Sequence, residues 1–305
     1  MAHAGSGATL PLVVVPVGTD EAALDGCLAA LDRTTPAGTR VWLADDAQAG
    51  PRALALIERW RRDTPLRADY TRRARSVGEV AHLDEVLSAC GDIDTVVLAS
   101  DAIPAPGWLS RMAQTLANDR AIATVTPWSN AGEAASWPRI GEVAPMPGDL
   151  HAIAAAAAAM PLAAPELPAA VGHAVLLRGI ARQRAGGLDT AGYGSWYAAL
   201  TDLSLRLAGL GWRNVLCENA FVARLGEGRP ADGDMQRLAA RWPDWHPRLA
   251  NFVMRDPLRV ARERLCALAA MASTPGLQPE LFDGLAVAFD RPVIRSAEAA
   301  CEAQA

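Results

Sequence analysis

Four residues, Thr95 to Leu98 (Thr-Val-Val-Leu), constrain the fold of this chain more than any other feature. The run is apolar and β-branched with no polar alternation, as a strand buried on both faces should be, and such strands belong to sheets with helices on either side. It stops at Ser100-Asp101, and Pro104, Pro106 and Gly107 beyond the acid forbid the strand from continuing. Open α/β sheets bind ligands outside the carboxyl ends of their strands. An acid at that place can hold a divalent cation that neutralises a diphosphate. Asp101 reads equally well as the cap of the following turn or helix.

The same kind of strand recurs, separated each time by a helical pattern. Leu10 to Val17 is a buried strand, Gly18-Thr19-Asp20 a turn and N-cap, and Glu21 to Leu31 an amphipathic helix with Leu24, Cys27, Leu28 and Leu31 on one face. Arg40 to Ala44 is a second strand, stopped by Asp45-Asp46, and a helix from Pro51 to Arg61 follows with proline at its start. Arg67 to Thr71 reads as a strand, Glu79 to Cys90 as a helix, Gly107 to Leu116 as a helix, and Ala121 to Thr126 as a strand closed by Pro127. This alternation predicts an α/β fold with a mostly parallel central sheet covered on both faces.

From Ser129 to Glu166 the pattern loosens into Ala- and Pro-rich sequence, read as a loop and helix insertion. Val171 to Leu177 is again a strand, Leu200 to Leu210 a helix stopped by Gly211, and Arg213 to Cys217 and Ala220 to Ala223 two short strands. Residues 1–9 read as a disordered N-terminus, 10–255 as the main domain, and 256–305 as a C-terminal helical extension and tail.

Composition narrows the function. The chain has 305 residues, is 51% hydrophobic, and carries a net charge of −5, which gives a nucleic-acid role no electrostatic support. All 29 basic residues are arginine, whose planar fork suits phosphates. Five scattered cysteines form no Cys-x-x-Cys pair, so a zinc site or disulfide framework is not expected and a reducing compartment fits. The N-terminus lacks a signal-peptide pattern, and the longest apolar run, Ala152 to Ala164, falls well short of the ~20 residues a spanning helix needs. A cytoplasmic protein with no transmembrane segment is the expectation.

Acids supply the candidate chemistry. Asp45 and Asp46 end a strand where a carboxylate can accept hydrogen bonds from a nucleobase or ribose. Asp202 follows the loop Gly192-Tyr193-Gly194-Ser195-Trp196-Tyr197 and reads as a general base or as the acid of an i,i+4 pair with Arg206, with the pair the commoner use. The loop's aromatic residues can form a platform for a sugar ring or can simply cover the core.

Several segments together resemble family 2 glycosyltransferases of the GT-A (Rossmann-like) fold. They are Val13-Val14-Val15-Pro16-Val17, the acidic pair Asp45-Asp46, Ala99-Ser100-Asp101 with Pro106-Gly107-Trp108-Leu109, and Thr126-Pro127-Trp128-Ser129-Asn130. Further on are Gly186-Gly187-Leu188-Asp189, Asp202-Leu203-Ser204-Leu205-Arg206 and Gly211-Trp212-Arg213-Asn214-Val215-Leu216. The resemblance covers roughly residues 10 to 260. It implies transfer of a sugar from a nucleoside diphosphate donor (UDP-, GDP- or dTDP-sugar) to a saccharide or other acceptor in glycan or polysaccharide synthesis, with inversion and with Mg²⁺ or Mn²⁺ on the diphosphate. On this reading Pro16, Val17, Asp45, Asp46 and Ser100 bind the nucleotide and Asp101 the metal. Asp202 is the catalytic base, and Trp128, Asn130, Tyr193 and Trp196 face the sugar or acceptor.

Three positions depart from the family pattern. Ala199-Leu200-Thr201 stand where an acidic pair is expected before Asp202, Ala99 replaces the first acid of the metal motif, and Arg224 in Phe221-Val222-Ala223-Arg224 replaces a metal-ligating histidine. An arginine there can neutralise a diphosphate itself and make the metal dispensable. Glu218 and Glu227 are further acids within reach of the same region. Two other readings stand beside the enzyme. One is a non-catalytic relative that binds a nucleotide sugar or scaffolds a glycan-assembly partner, as homodimer or hetero-complex. The other, a nucleotidyltransferase, is disfavoured by the lack of a Gly-rich, Lys-containing phosphate loop.

Overall fold

The computed structural model describes residues 9–272. Eight strands form one sheet: β1 (Leu12–Pro16), β2 (Arg40–Asp45), β3 (Arg67–Arg72), β4 (Thr95–Leu98), β5 (Ala102–Pro104), β6 (Ile122–Trp128), β7 (Ala174–Leu177) and β8 (Arg213–Arg224). Their order is β3-β2-β1-β4-β7-β6-β8-β5. The β1–β2, β2–β3, β1–β4 and β6–β8 pairs are parallel, whereas β7 runs antiparallel to both neighbours and β5 antiparallel to β8. The sheet is therefore mostly parallel, with the carboxyl ends of β1, β2, β4, β6 and β8 along one edge.

Helices α1 (Glu21–Thr34), α2 (Pro51–Asp63), α3 (Glu79–Ala89), α4 (Trp108–Asn118), α5 (Leu150–Ala158), α6 (Gly179–Arg184), α7 (Trp196–Gly209), α8 (Asp234–Arg241), α9 (Trp245–Arg255) and α10 (Arg259–Ala272) surround it. Alternation along the strands explains why both faces are covered. Val13, Val15, Val96 and Leu98 pack with Leu24, Leu28, Ile57 and Leu109 on one face, while Val97 packs with Leu83, Leu87 and Leu203 on the other. Asp20 caps α1 through the backbone N–H groups of Ala22 and Ala23, both at 3.0 Å, so the turn after β1 forms as its residues suggest.

Proline accounts for two of the differences from the sequence reading. The segment after Asp101 does form a strand, β5, because it lies at the sheet edge, where a residue without N–H is tolerated. Strand β6 runs through Pro127 to Trp128, its pairing with β7 being confined to Thr124 and Val125. The two short strands expected after Gly211 are one, β8, whose register against β6 slips between the Pro127–Cys217 and Trp128–Phe221 pairs. Helix α7 also begins earlier than expected, at Trp196, so the aromatic loop becomes its cap and first turn.

A third cluster joins α5 and α10 to the sheet through Ile153, Ala157, Leu216, Phe221, Leu258 and Leu265. Cys27, Cys90 and Cys217 are free and buried, and Cys266 is disulfide-bonded. Among the described residues no helix is long and apolar enough to cross a membrane.

Candidate active site

The antiparallel register of β5 on β8 sets Ala102 opposite Arg224. Asp101 therefore meets the arginine at the sheet edge, and both its carboxylate oxygens accept from Arg224 Nε, at 2.9 and 3.0 Å. Asn130, at the end of β6, clasps the same residue: its Oδ1 accepts from Arg224 N at 2.8 Å and its Nδ2 donates to Arg224 O at 3.0 Å. The guanidinium lines a cleft of about 180 Å³ with Glu79, Glu133, Trp196, Tyr197 and Glu227. Two glycines permit close approaches at this edge. A Cβ on Gly18 would lie 2.7 Å from Ser100 Oγ, and one on Gly172 would lie 2.7 Å from Trp196 Nε1.

Glu133 enters the cleft from a short 3-10 turn, Glu133–Ala135. Its backbone is left-handed, φ 49°, a conformation that costs a non-glycine residue about 1 kcal/mol or more. The turn is closed by bonds from Gly132 N to Ser136 Oγ at 3.0 Å and from Gly141 N to Glu133 O at 3.0 Å. The Tyr197 hydroxyl donates to Glu133 Oε2 at 3.3 Å. Glu133 keeps an exposed side, yet the cleft walls desolvate its carboxyl and push it up to about 7, against the opposing pull of the Tyr197 hydrogen bond and the Arg224 charge. Burial likewise raises the Glu79 carboxyl, although it accepts from Trp196 N at 2.8 Å.

The other residues singled out in the sequence lie as follows. Asp202 does not line the cleft. It is fully buried and bonded by Arg206 Nε at 2.8 Å and Trp242 Nε1 at 2.9 Å, with Arg241 Nε at 3.2 Å. The i,i+4 pair is what forms, and Tyr193 is buried beside it, its hydroxyl 3.5 Å from the same carboxylate. Trp128 is in the core with Arg262 stacked 5.4 Å from its ring centroid, so it presents no face to a sugar. Asp45 accepts from Gln48 N at 2.7 Å and from the Tyr70 hydroxyl at 2.8 Å, which anchors the turn after β2. Asp46 accepts from Ser76 Oγ, Val77 N and Gly78 N. Burial works to raise its pKa, and those hydrogen bonds outweigh it and hold the carboxyl below the usual range. Pro16 ends β1, and buried Val17 donates from its backbone to Ala44 O at 2.8 Å. Glu218 lines a separate cavity of about 150 Å³ with Asp119 and Arg213.

Of the residues picked from the sequence, the structure thus brings Asp101, Asn130, Trp196, Arg224 and Glu227 together. Tyr197 joins them from the aromatic loop, and Glu79 and Glu133 complete the group without having been singled out for it. Glu133 follows Ser129-Asn130 by three residues, the one signal that points to it.

A divalent cation does not fit this donor set. Both Asp101 oxygens already face a guanidinium, residue 99 is alanine, and among the described residues no three His, Cys, Asp or Glu side chains are placed to hold a metal ion together.

Comparisons with known proteins agree with the architecture. The mannosyltransferase PcManGT from Pyrobaculum calidifontis, solved with GDP-Man and Mn2+, superposes with a TM-score of 0.54 at 16% identity over 97% of this chain and 87% of that one. GalNAc-T7 with UDP, GalNAc and Mn2+ gives 0.57 at 14% identity, over 91% of this chain and 54% of that one. S. aureus TarS 1-349 in complex with UDP-GlcNAc gives 0.51 at 13% identity, over 96% and 88%. At these identities the likeness shows a shared GT-A fold. No curated protein matches the chain. The sequence profile of glycosyl transferase family 2 matches residues 12–178, more than half of the chain, and the chain belongs to that family.

Proposed function

We propose that this protein transfers a sugar from a nucleoside diphosphate donor to a hydroxyl acceptor with inversion, and that Arg224 meets the diphosphate in place of a metal ion. The observation that carries this reading is the Asp101–Arg224 pair at the carboxyl ends of β4 and β8. Asp101 engages only Nε, which orients the guanidinium with its two Nη groups available to phosphate oxygens. The nucleoside then lies over the carboxyl ends of β1 and β2, near Pro16, Val17, Ser100 and the turns that Asp45 and Asp46 hold. Trp196 and Tyr197 border the sugar. The neighbours solved with GDP-Man and UDP-GlcNAc support a donor of this class. The presence of Glu79, Glu133 and Glu227 in the cleft favours an enzyme over a non-catalytic scaffold.

Calorimetric titration with UDP, GDP and dTDP, each with Mn²⁺ and with chelator, tests the reading. One nucleotide binds equally well under both conditions, and Arg224→Ala weakens it at least tenfold. Binding that requires Mn²⁺ returns Asp101 to the role of metal ligand, and no binding of any nucleotide overturns the donor site.

A further inference from the structure

We infer that Glu133 is the catalytic base that deprotonates the acceptor hydroxyl, in place of the carboxylate the family pattern puts on α7. The inference rests on the donor reading above. An inverting transfer needs a carboxylate with a free lone pair facing the acceptor side of the cleft, near but not paired with the group that holds the donor. On α7 that place is empty of acids: Ala199 and Leu200 are buried and Asp202 is tied into its own ion pairs.

Three acids line the cleft near Arg224, and they differ in what already binds them. Glu79 holds the first N–H of α7 through Trp196 N. Glu227 is already paired with an arginine, Arg229, at 3.2 Å. Glu133 receives only one neutral hydroxyl, from Tyr197 at 3.3 Å on Oε2. The left-handed backbone and the bonds that close its turn hold the carboxylate in that position, a strain of the kind that gathers at functional sites. The groups facing it are Arg224 from β8, Tyr197 from α7, Glu79 from α3, Glu227 and Arg229 beyond β8, and Glu142 from its own loop. With a carboxyl near 7, Glu133 both releases and accepts a proton in the neutral range, where general bases work best.

The step balances without a co-reactant. The acceptor oxygen attacks the anomeric carbon opposite the diphosphate and its proton passes to Glu133. The new carbon–oxygen bond forms as the bond to the phosphate oxygen breaks, and the electron pair leaves on the nucleoside diphosphate. Glu133 then returns its proton to water.

The test uses the full chain, with UDP-GlcNAc, UDP-Glc, GDP-Man and dTDP-Glc as donors and water as the acceptor, so no natural acceptor is needed. Wild type cleaves one donor with a rate that rises with pH through about 7. Glu133→Gln lowers cleavage by at least ~100-fold, loses that rise and binds the nucleotide with wild-type Kd. Azide, which has no proton to give up, restores cleavage to the variant. Tyr197→Phe removes the hydrogen bond that lowers the Glu133 carboxyl and so moves the acid limb of the profile to higher pH. Cleavage by Glu133→Gln within a few-fold of wild type overturns the assignment. So does a loss accompanied by weakened nucleotide binding, or a wild type that binds a nucleotide and cleaves none of the four donors. A wild type that binds no nucleotide overturns the donor reading itself.

Discussion

His173 and Asp202 are both fully buried. His173 closes onto β4 through its backbone carbonyl, which accepts from Ala99 N at 3.0 Å, while burial and the Arg224 charge push its imidazole down to about 3. A group whose folded pKa is depressed contributes stability that is present above its unfolded value and lost as pH falls towards the folded one. The window here runs from about 6.5 down to about 3. Chemical unfolding at pH 7 and pH 5 should show wild type losing about 2 kcal/mol that His173→Met does not lose. Asp202 stands among Arg206, Arg241 and Trp242, and removing it leaves the half-buried Arg206 guanidinium and the Trp242 N–H without their carboxylate. Asp202→Ala should cost about 3 kcal/mol in the same assay while leaving nucleotide Kd unchanged. A loss of transfer without loss of stability would instead mark Asp202 as the base.

At the scale of elements, the start of α7 depends on α8. Asp234 accepts from Gly194 N, Ser195 N and Ala231 N, each near 3 Å, and from Ser195 Oγ. One carboxylate thereby fixes the loop that leads into Trp196. Asp234→Ala should destabilise the protein by about 2 kcal/mol and speed amide exchange at Gly194 and Ser195 well beyond that at Val96, deep in the sheet. These elements were legible to different degrees. Strand β4 has the bounds its residues suggest, because nothing but burial on two faces decides a four-residue apolar run. The cap at Asp20 and the proline opening α2 were equally plain. Strands β5 and β6 were misjudged at proline because a missing N–H matters only where a partner carbonyl waits for it, and that depends on the neighbouring strand. The site divided in the same way. Arg224 stood out by its place in a motif, whereas Glu133 sits in Ala-rich sequence without period, and its meaning comes from a tyrosine 64 residues away.

At the scale of the whole molecule, α10 is packed into the body of the domain. Leu258, Leu265 and Ala269 are buried against α5 and the end of β8, and Arg262 donates to Ser136 O at 2.7 Å while pairing with Asp256. A chain ended at Arg255 should lose on the order of 5 kcal/mol from the apolar burial alone, enough to leave it largely unfolded by circular dichroism at 37 °C.

Asn130 has one amide group, and both of its protons are in use: one on Ala144 O at 2.9 Å, the other on Arg224 O at 3.0 Å. The loop bearing Glu133 and the strand end bearing Arg224 are thereby held at a constant spacing, as the jaws of a caliper set to one gauge. If Glu133 is the base, an acceptor should be chosen by reach: a hydroxyl that projects far enough from its carrier to bridge the gauge should react and a shorter one should not, whatever the chemistry of the remainder of the molecule.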